Sequence, residues 1–139
     1  MKNLRKLAYV VLFGSLLLLD SCLPTDEVVA DRIPALTSST WVFSSLDAGD
    51  DFLNTTYEII YSGNEITFNE DGTCKDKLVG VNGSGTWSFN SDQTILNISI
   101  SYTDGDTRNE SWKIISLTDT KLNYEFSISP NTLEMIYTH

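Results

Sequence analysis

The chain has 139 residues and a formal net charge of −10, with 19 acidic residues against 9 basic ones. Nucleic-acid binding needs clustered Lys and Arg to neutralise phosphates, and docking on anionic lipid needs basic patches, so this composition excludes both. The two cysteines and single histidine leave little material for a disulfide framework, a zinc site or a thiol nucleophile with its base.

The first element is a leader. Lys2, Arg5 and Lys6 form a basic head, Leu7 to Leu19 is apolar apart from Gly14 and Ser15, and Ser21 precedes Cys22. This is the layout of a secretory signal peptide, too short in its apolar part for a comfortable membrane span. Leu19-Asp20-Ser21-Cys22 resembles the bacterial lipobox, which implies cleavage after residue 21, acylation of Cys22 and a lipid anchor in the outer membrane, facing the periplasm or the cell surface. Acylation by palmitate-like chains, two or more together, gives stable anchoring. Losing 21 of the 139 residues would leave 118, one domain's worth, and would remove three basic residues and Asp20, taking the charge to about −12. Residues 22–38 carry Pro24, Pro34 and the Asp26-Glu27 pair without sustained periodicity. They read as a tether with a root-mean-square reach of roughly 20 Å.

From residue 39 to 139 the pattern has period two, the signature of half-buried strands. Trp41 and Phe43 open it; Tyr57, Ile59 and Tyr61 follow; then Ile66 and Phe68, Trp87 and Phe89, Leu96 to Tyr102, Trp112 and Ile114, Leu122 to Ile128, and Leu133 to Tyr137. Asp71-Gly72 is the strongest turn between runs, and Ser62-Gly63-Asn64, Val81-Asn82-Gly83, Asn90-Ser91-Asp92, Asp104-Gly105-Asp106, Leu117-Thr118-Asp119 and Ser129-Pro130-Asn131 mark others. Only Asp47 to Leu53 has room for a short helical turn. The expectation is all-β: an antiparallel up-and-down meander of eight or nine strands, closed into a barrel because closure removes exposed edges. A two-sheet sandwich is the alternative, disfavoured by the short connections.

Four stretches, Ser39-Thr40-Trp41, Ile66 to Thr73, Gly85 to Asn90 and Ile114 to Thr118, resemble the small lipocalin-like, calycin-type lipoproteins of the Bacteroidetes group. The resemblance implies a lipocalin-like barrel and a binding role. Ser39 stands where lipocalins carry the glycine of Gly-x-Trp. A short eight-stranded barrel rich in aromatics should be packed through its middle, leaving any ligand at the mouth.

Trp41, Trp87, Trp112, Tyr57 and Tyr124 are the candidate ligand contacts, able to stack on a sugar or a flat apolar molecule, although such rings more often build a core. Cys74 reads as a structural thiol. Asp104-Gly105-Asp106 and Asn69 to Gly72 lack the spacing of calcium loops, and Asp47, Asp50 and Asp51 around Gly49 are the best remaining cation candidates. Catalytic motifs are absent, and a glycosidase would need two acids facing one cleft, whereas only Asp76 is in phase with an inner face. No enzymatic activity, cofactor or metal is therefore expected. The expected partners are the membrane, through the anchor, and a small apolar or saccharide ligand; the alternative is a protein-interaction or structural subunit with a filled barrel.

Overall fold

The computed structural model describes residues 31–139, so the leader, Cys22 and the first part of the tether lie outside the described residues. Eight strands form one closed antiparallel barrel in sequence order: β1 (Thr40–Asp47), β2 (Glu65–Phe68), β3 (Thr73–Leu78), β4 (Val81–Phe89), β5 (Ile95–Tyr102), β6 (Thr107–Leu117), β7 (Lys121–Ile128) and β8 (Asn131–Thr138). Closure is made by β8 on β1, with Val42 opposite Thr138 and Leu46 opposite Met135. Two helices complete the fold, α1 (Ile33–Thr37) before β1 and α2 (Asp51–Tyr61) between β1 and β2.

The expected alternation places the core. Trp41, Ile66, Phe68, Leu96, Ile98, Ile100, Trp112, Leu122, Tyr124, Leu133, Met135 and Tyr137 are all buried inside the barrel. Its middle is filled by a continuous file of rings. Trp87 meets Phe68 at 5.9 Å and Phe68 meets Trp112 at 6.1 Å, each edge to face. Trp112 stacks on Tyr124 at 3.9 Å, and Tyr137, Phe43 and Tyr61 continue the file at 5.8–6.0 Å spacings. Offset and edge-to-face contacts of this kind add about 0.5–1.5 kcal/mol per pair beyond area burial.

One end is stoppered. In α1, Leu36 is fully buried and its carbonyl accepts from Trp41 Nε1 at 2.8 Å. Arg32 fastens the chain just before it to the β4–β5 connection, through Gln93 Oε1 at 2.6 Å and the Gln93 carbonyl at 3.0 Å. The last residues of the segment expected to be a tether are thus part of the domain. At the opposite end lie the β3–β4, β5–β6 and β7–β8 turns and α2.

Three expectations are corrected. Tyr57, Ile59 and Tyr61 lie on an eleven-residue helix rather than a strand. Asp50 caps it, accepting from Phe52 N and Leu53 N at 3.0 Å each, and Leu53, Tyr57 and Tyr61 recur at four-residue intervals on its inner side. A five-residue alternation is too short to outvote that cap, and Ile59, which a strand would bury, is 71% exposed. The turn expected at Val81-Asn82-Gly83 falls instead at Val79-Gly80, where both residues have positive φ (51° and 77°), the backbone a two-residue hairpin needs. Gly83 sits within β4, because a Cβ there would come 2.6 Å from the Ile100 side chain. Finally, β6 begins at Thr107, five residues before the run expected from Trp112.

Candidate functional site

The early start of β6 matters because its extra turn of alternation aims Arg108 and Glu110 inward, in phase with Trp112 and Ile114. From β3, the same inward phase carries Asp76. From the end of β5 comes Tyr102, and α2 folds across the mouth to deliver Tyr61 and, just after it, Asn64.

These side chains form one network beneath the mouth. Asp76, 3% exposed, accepts from Asn64 Nδ2 at 2.8 Å, from the Tyr102 hydroxyl, and from Arg108 Nη1 at 3.3 Å. Arg108 Nε donates to Glu110 Oε1 at 2.8 Å, and the other oxygen of Glu110 accepts from Trp112 Nε1 at 2.6 Å. Asn64 also donates to the Lys77 carbonyl and accepts from the Tyr137 hydroxyl, so it rivets the end of α2 to the barrel. The Arg108 guanidinium carbon lies 5.4 Å from the ring centres of both Tyr61 and Trp112. Cation–π attraction of this kind grows when water is excluded.

Burial works against the charge on Arg108, yet Glu110, by its charge and its hydrogen bond, leads the contributions that lift its pKa well above the ordinary arginine value. Burial raises Tyr61 to about 12 and pushes Tyr102 up further, the latter helped by its hydrogen bond to Asp76. The network is therefore one cation between two carboxylates, ringed by neutral phenols. One donor is left over: Arg108 is 7% exposed, and its Nη2 is buried without a partner. A buried donor left unmade costs about 1–3 kcal/mol, more when charged.

Above the network opens a pocket of about 460 Å³. Leu78, Val79, Val81 and Tyr102 supply its apolar wall, Arg108, Glu110 and Tyr61 its floor, and Asp104 and Asp106 its rim. This is within the size range of small-molecule sites, as is the mix of apolar walls and a few convergent polar groups.

None of the five residues singled out from the sequence lines that pocket. Trp41 and Trp112 are fully buried, Trp87 nearly so, with Nε1 donating to the Asn69 carbonyl at 2.9 Å, and Tyr124 is buried against Trp112. Tyr57 is half-buried on α2, packed against the core. Of these, Trp112 comes nearest to a functional role, as the ring under Arg108. Sequence reasoning missed Arg108, Glu110 and Asn64. Extending the alternation of Trp112 and Ile114 backward would have found the first two; Asn64 was hidden in a turn. Glu110 also corrects the expectation that Asp76 alone faces inward.

The acidic loop is structural. Asp50 is consumed as the cap of α2, and Asp47 accepts from Gly49 N at 2.7 Å. Among the described residues no group of three or more His, Cys, Asp or Glu side chains converges as a metal site would require. Cys74 is buried, and burial followed by the nearby Asp76 charge raises its thiol to about 11, consistent with a structural role.

A closed meander of eight strands, stoppered at one end and holding a pocket at the other beside the last residue of α2, defines a lipocalin-like barrel. A family model described as the lipocalin-like domain matches residues 38–124, well over half the chain, and the chain belongs to that family. Among solved structures it is similar to a DUF4847 family protein from Bacteroides vulgatus ATCC 8482, at 14% identity and a TM-score of 0.51, covering 75% of this chain and 94% of that one; the likeness is one of fold. None of the curated proteins compared with the chain matches it.

Proposed function

We propose that the protein is a lipid-anchored binding module that holds a small, largely apolar ligand at the barrel mouth. The observation that carries this reading is the 460 Å³ pocket standing over a buried, incompletely satisfied arginine in a barrel otherwise filled with side chains. A fold needing only stability would be served as well by an apolar floor, since buried ion networks are poor sources of stability. A saccharide ligand is less well supported, because the tryptophans lie below the pocket and offer it no stacking face. Catalysis is also poorly supported: the oxygens of Asp76 and Glu110 are engaged by Arg108, Tyr102, Asn64 and Trp112, which leaves these acids holding the arginine. The anchor, through Cys22 to the outer membrane, is part of the proposal and rests on the sequence.

The test is titration of the protein with medium-chain alcohols, sterol-like molecules and oligosaccharides, read by tryptophan emission and thermal shift. Saturable binding of an apolar probe, with the emission change lost in Trp112→Phe but kept in Trp87→Phe, is expected. The reading fails if no probe shifts either signal.

A second reading, an interaction subunit, has one observation in its favour. Phe52 and Ile59 are 77% and 71% exposed on one side of α2, and Val79 is 67% exposed on the β3–β4 turn. It predicts that Phe52→Ser with Ile59→Ser abolishes recovery of a defined membrane partner while leaving probe binding intact.

A further inference from the structure

Resting on the binding reading above, we infer that the mouth pocket selects against anions: its ligand meets Arg108 with an uncharged oxygen, a carbonyl or hydroxyl, and carries no negative charge. An arginine at the floor of a pocket would ordinarily suggest a carboxylate or phosphate headgroup, since the guanidinium fork matches both. Here that capacity is already used. Nε is taken by Glu110 and Nη1 by Asp76, so the floor and the network directly beneath it carry one positive and two negative charges. An entering carboxylate would add a third negative charge to a water-poor site, where like charges repel strongly and desolvation is costly. Arg108 lines the pocket, and its Nη2, closed to solvent in this structure, still lacks an acceptor; a neutral oxygen that reached it would supply one without disturbing the charge balance.

The rim points the same way. Asp104 and Asp106 flank the entrance on the β5–β6 turn, and no arginine or lysine other than Arg108 lines the pocket. An anion would pass two carboxylates to reach a floor that, with Asp76 beneath it, is already net negative. A positive charge at the trailing end of the ligand would sit beside them.

The experiment compares three probes of one chain length on the full domain: decanol, decanoate, and an aminodecanol bearing a hydroxyl at one end and an ammonium at the other, each below its aggregation threshold. Decanol is expected to bind at least tenfold more tightly than decanoate at neutral pH, and aminodecanol at least as tightly as decanol. Asp104→Asn with Asp106→Asn, both exposed, should lower the preference for aminodecanol over decanol several-fold. Glu110→Gln, which balances the floor to one charge of each sign, should narrow the decanol–decanoate gap. Equal or tighter binding of decanoate would overturn the inference while leaving the binding reading intact, as would a rim variant whose preference for aminodecanol over decanol is unchanged. If none of the three probes nor any molecule of the wider screen binds, it is the binding reading that falls.

Discussion

Asp76 is the residue on which the mouth depends. Its carboxylate accepts from Asn64, Tyr102 and Arg108 while sealed from water. Removing one partner of a buried ion pair typically costs about 3–5 kcal/mol, because the surviving charge is stranded. Asp76→Ala should therefore lower stability to urea by about that amount, while Asp104→Ala on the exposed rim should stay within roughly 0.5 kcal/mol. The buried phenols and thiol set a second expectation. Cys74 is raised from 9.0 to about 11 and Tyr61 from 10.0 to about 12, both chiefly by burial, so the folded chain keeps protons that the unfolded chain releases. Their contribution is complete below pH 9.0 and is lost as the pH climbs toward 12. Urea midpoints should be level through neutrality and fall above pH 9.0, and Cys74→Val should remove the earliest part of that fall. In native buffer Cys74 should react with a thiol reagent only after denaturant is added.

At the scale of elements, α2 is where local and long-range signals disagree. Asp50 closes its first turn, and Asp50→Ala should cost about 1 kcal/mol, visible as faster amide exchange in residues 51–61 ahead of the barrel strands. The strands themselves were legible because one face of each is buried, and burial writes period two into the chain: β5 and β8 follow it almost residue for residue, while β7 departs from it at the buried Asn123 and the exposed Ile128. The helix was not legible, since Tyr57, Ile59 and Tyr61 satisfy a strand period over so short a span, and only the cap and the four-residue spacing of Leu53, Tyr57 and Tyr61 decide against it. The turn into β4 was misplaced for a different reason. Asn82-Gly83 has turn chemistry, but Gly83 is required by the Ile100 side chain across the β4–β5 ladder, a contact that sequence neighbours do not reveal. The charged floor escaped notice because Arg108 and Glu110 look like solvent-facing residues until the barrel closes over them.

For the whole molecule, the barrel was readable from short connections and the absence of long crossovers, and the fold agrees with it. Localisation remains a proposal carried by Cys22. Cys22→Ala should abolish labelling by radioactive palmitate and shift the protein from the membrane to the soluble fraction. The barrel is expected to fold without the anchor: a chain beginning at residue 31 should show the same urea midpoint as the acylated protein, because α1 and Arg32 keep their contacts.

With Cys22 acylated, as proposed, the stopper helix bears on which way the cup would stand. The described chain begins at the base, beside Gln93 and under Trp41, on the far side from Arg108. An acyl mooring at Cys22, nine residues before Asp31 and so no more than about 30 Å of extended chain away, would hold the protein by its foot. The opening would then look out into the aqueous compartment, and cargo would be exchanged with solution or with another soluble carrier instead of being drawn from the bilayer below.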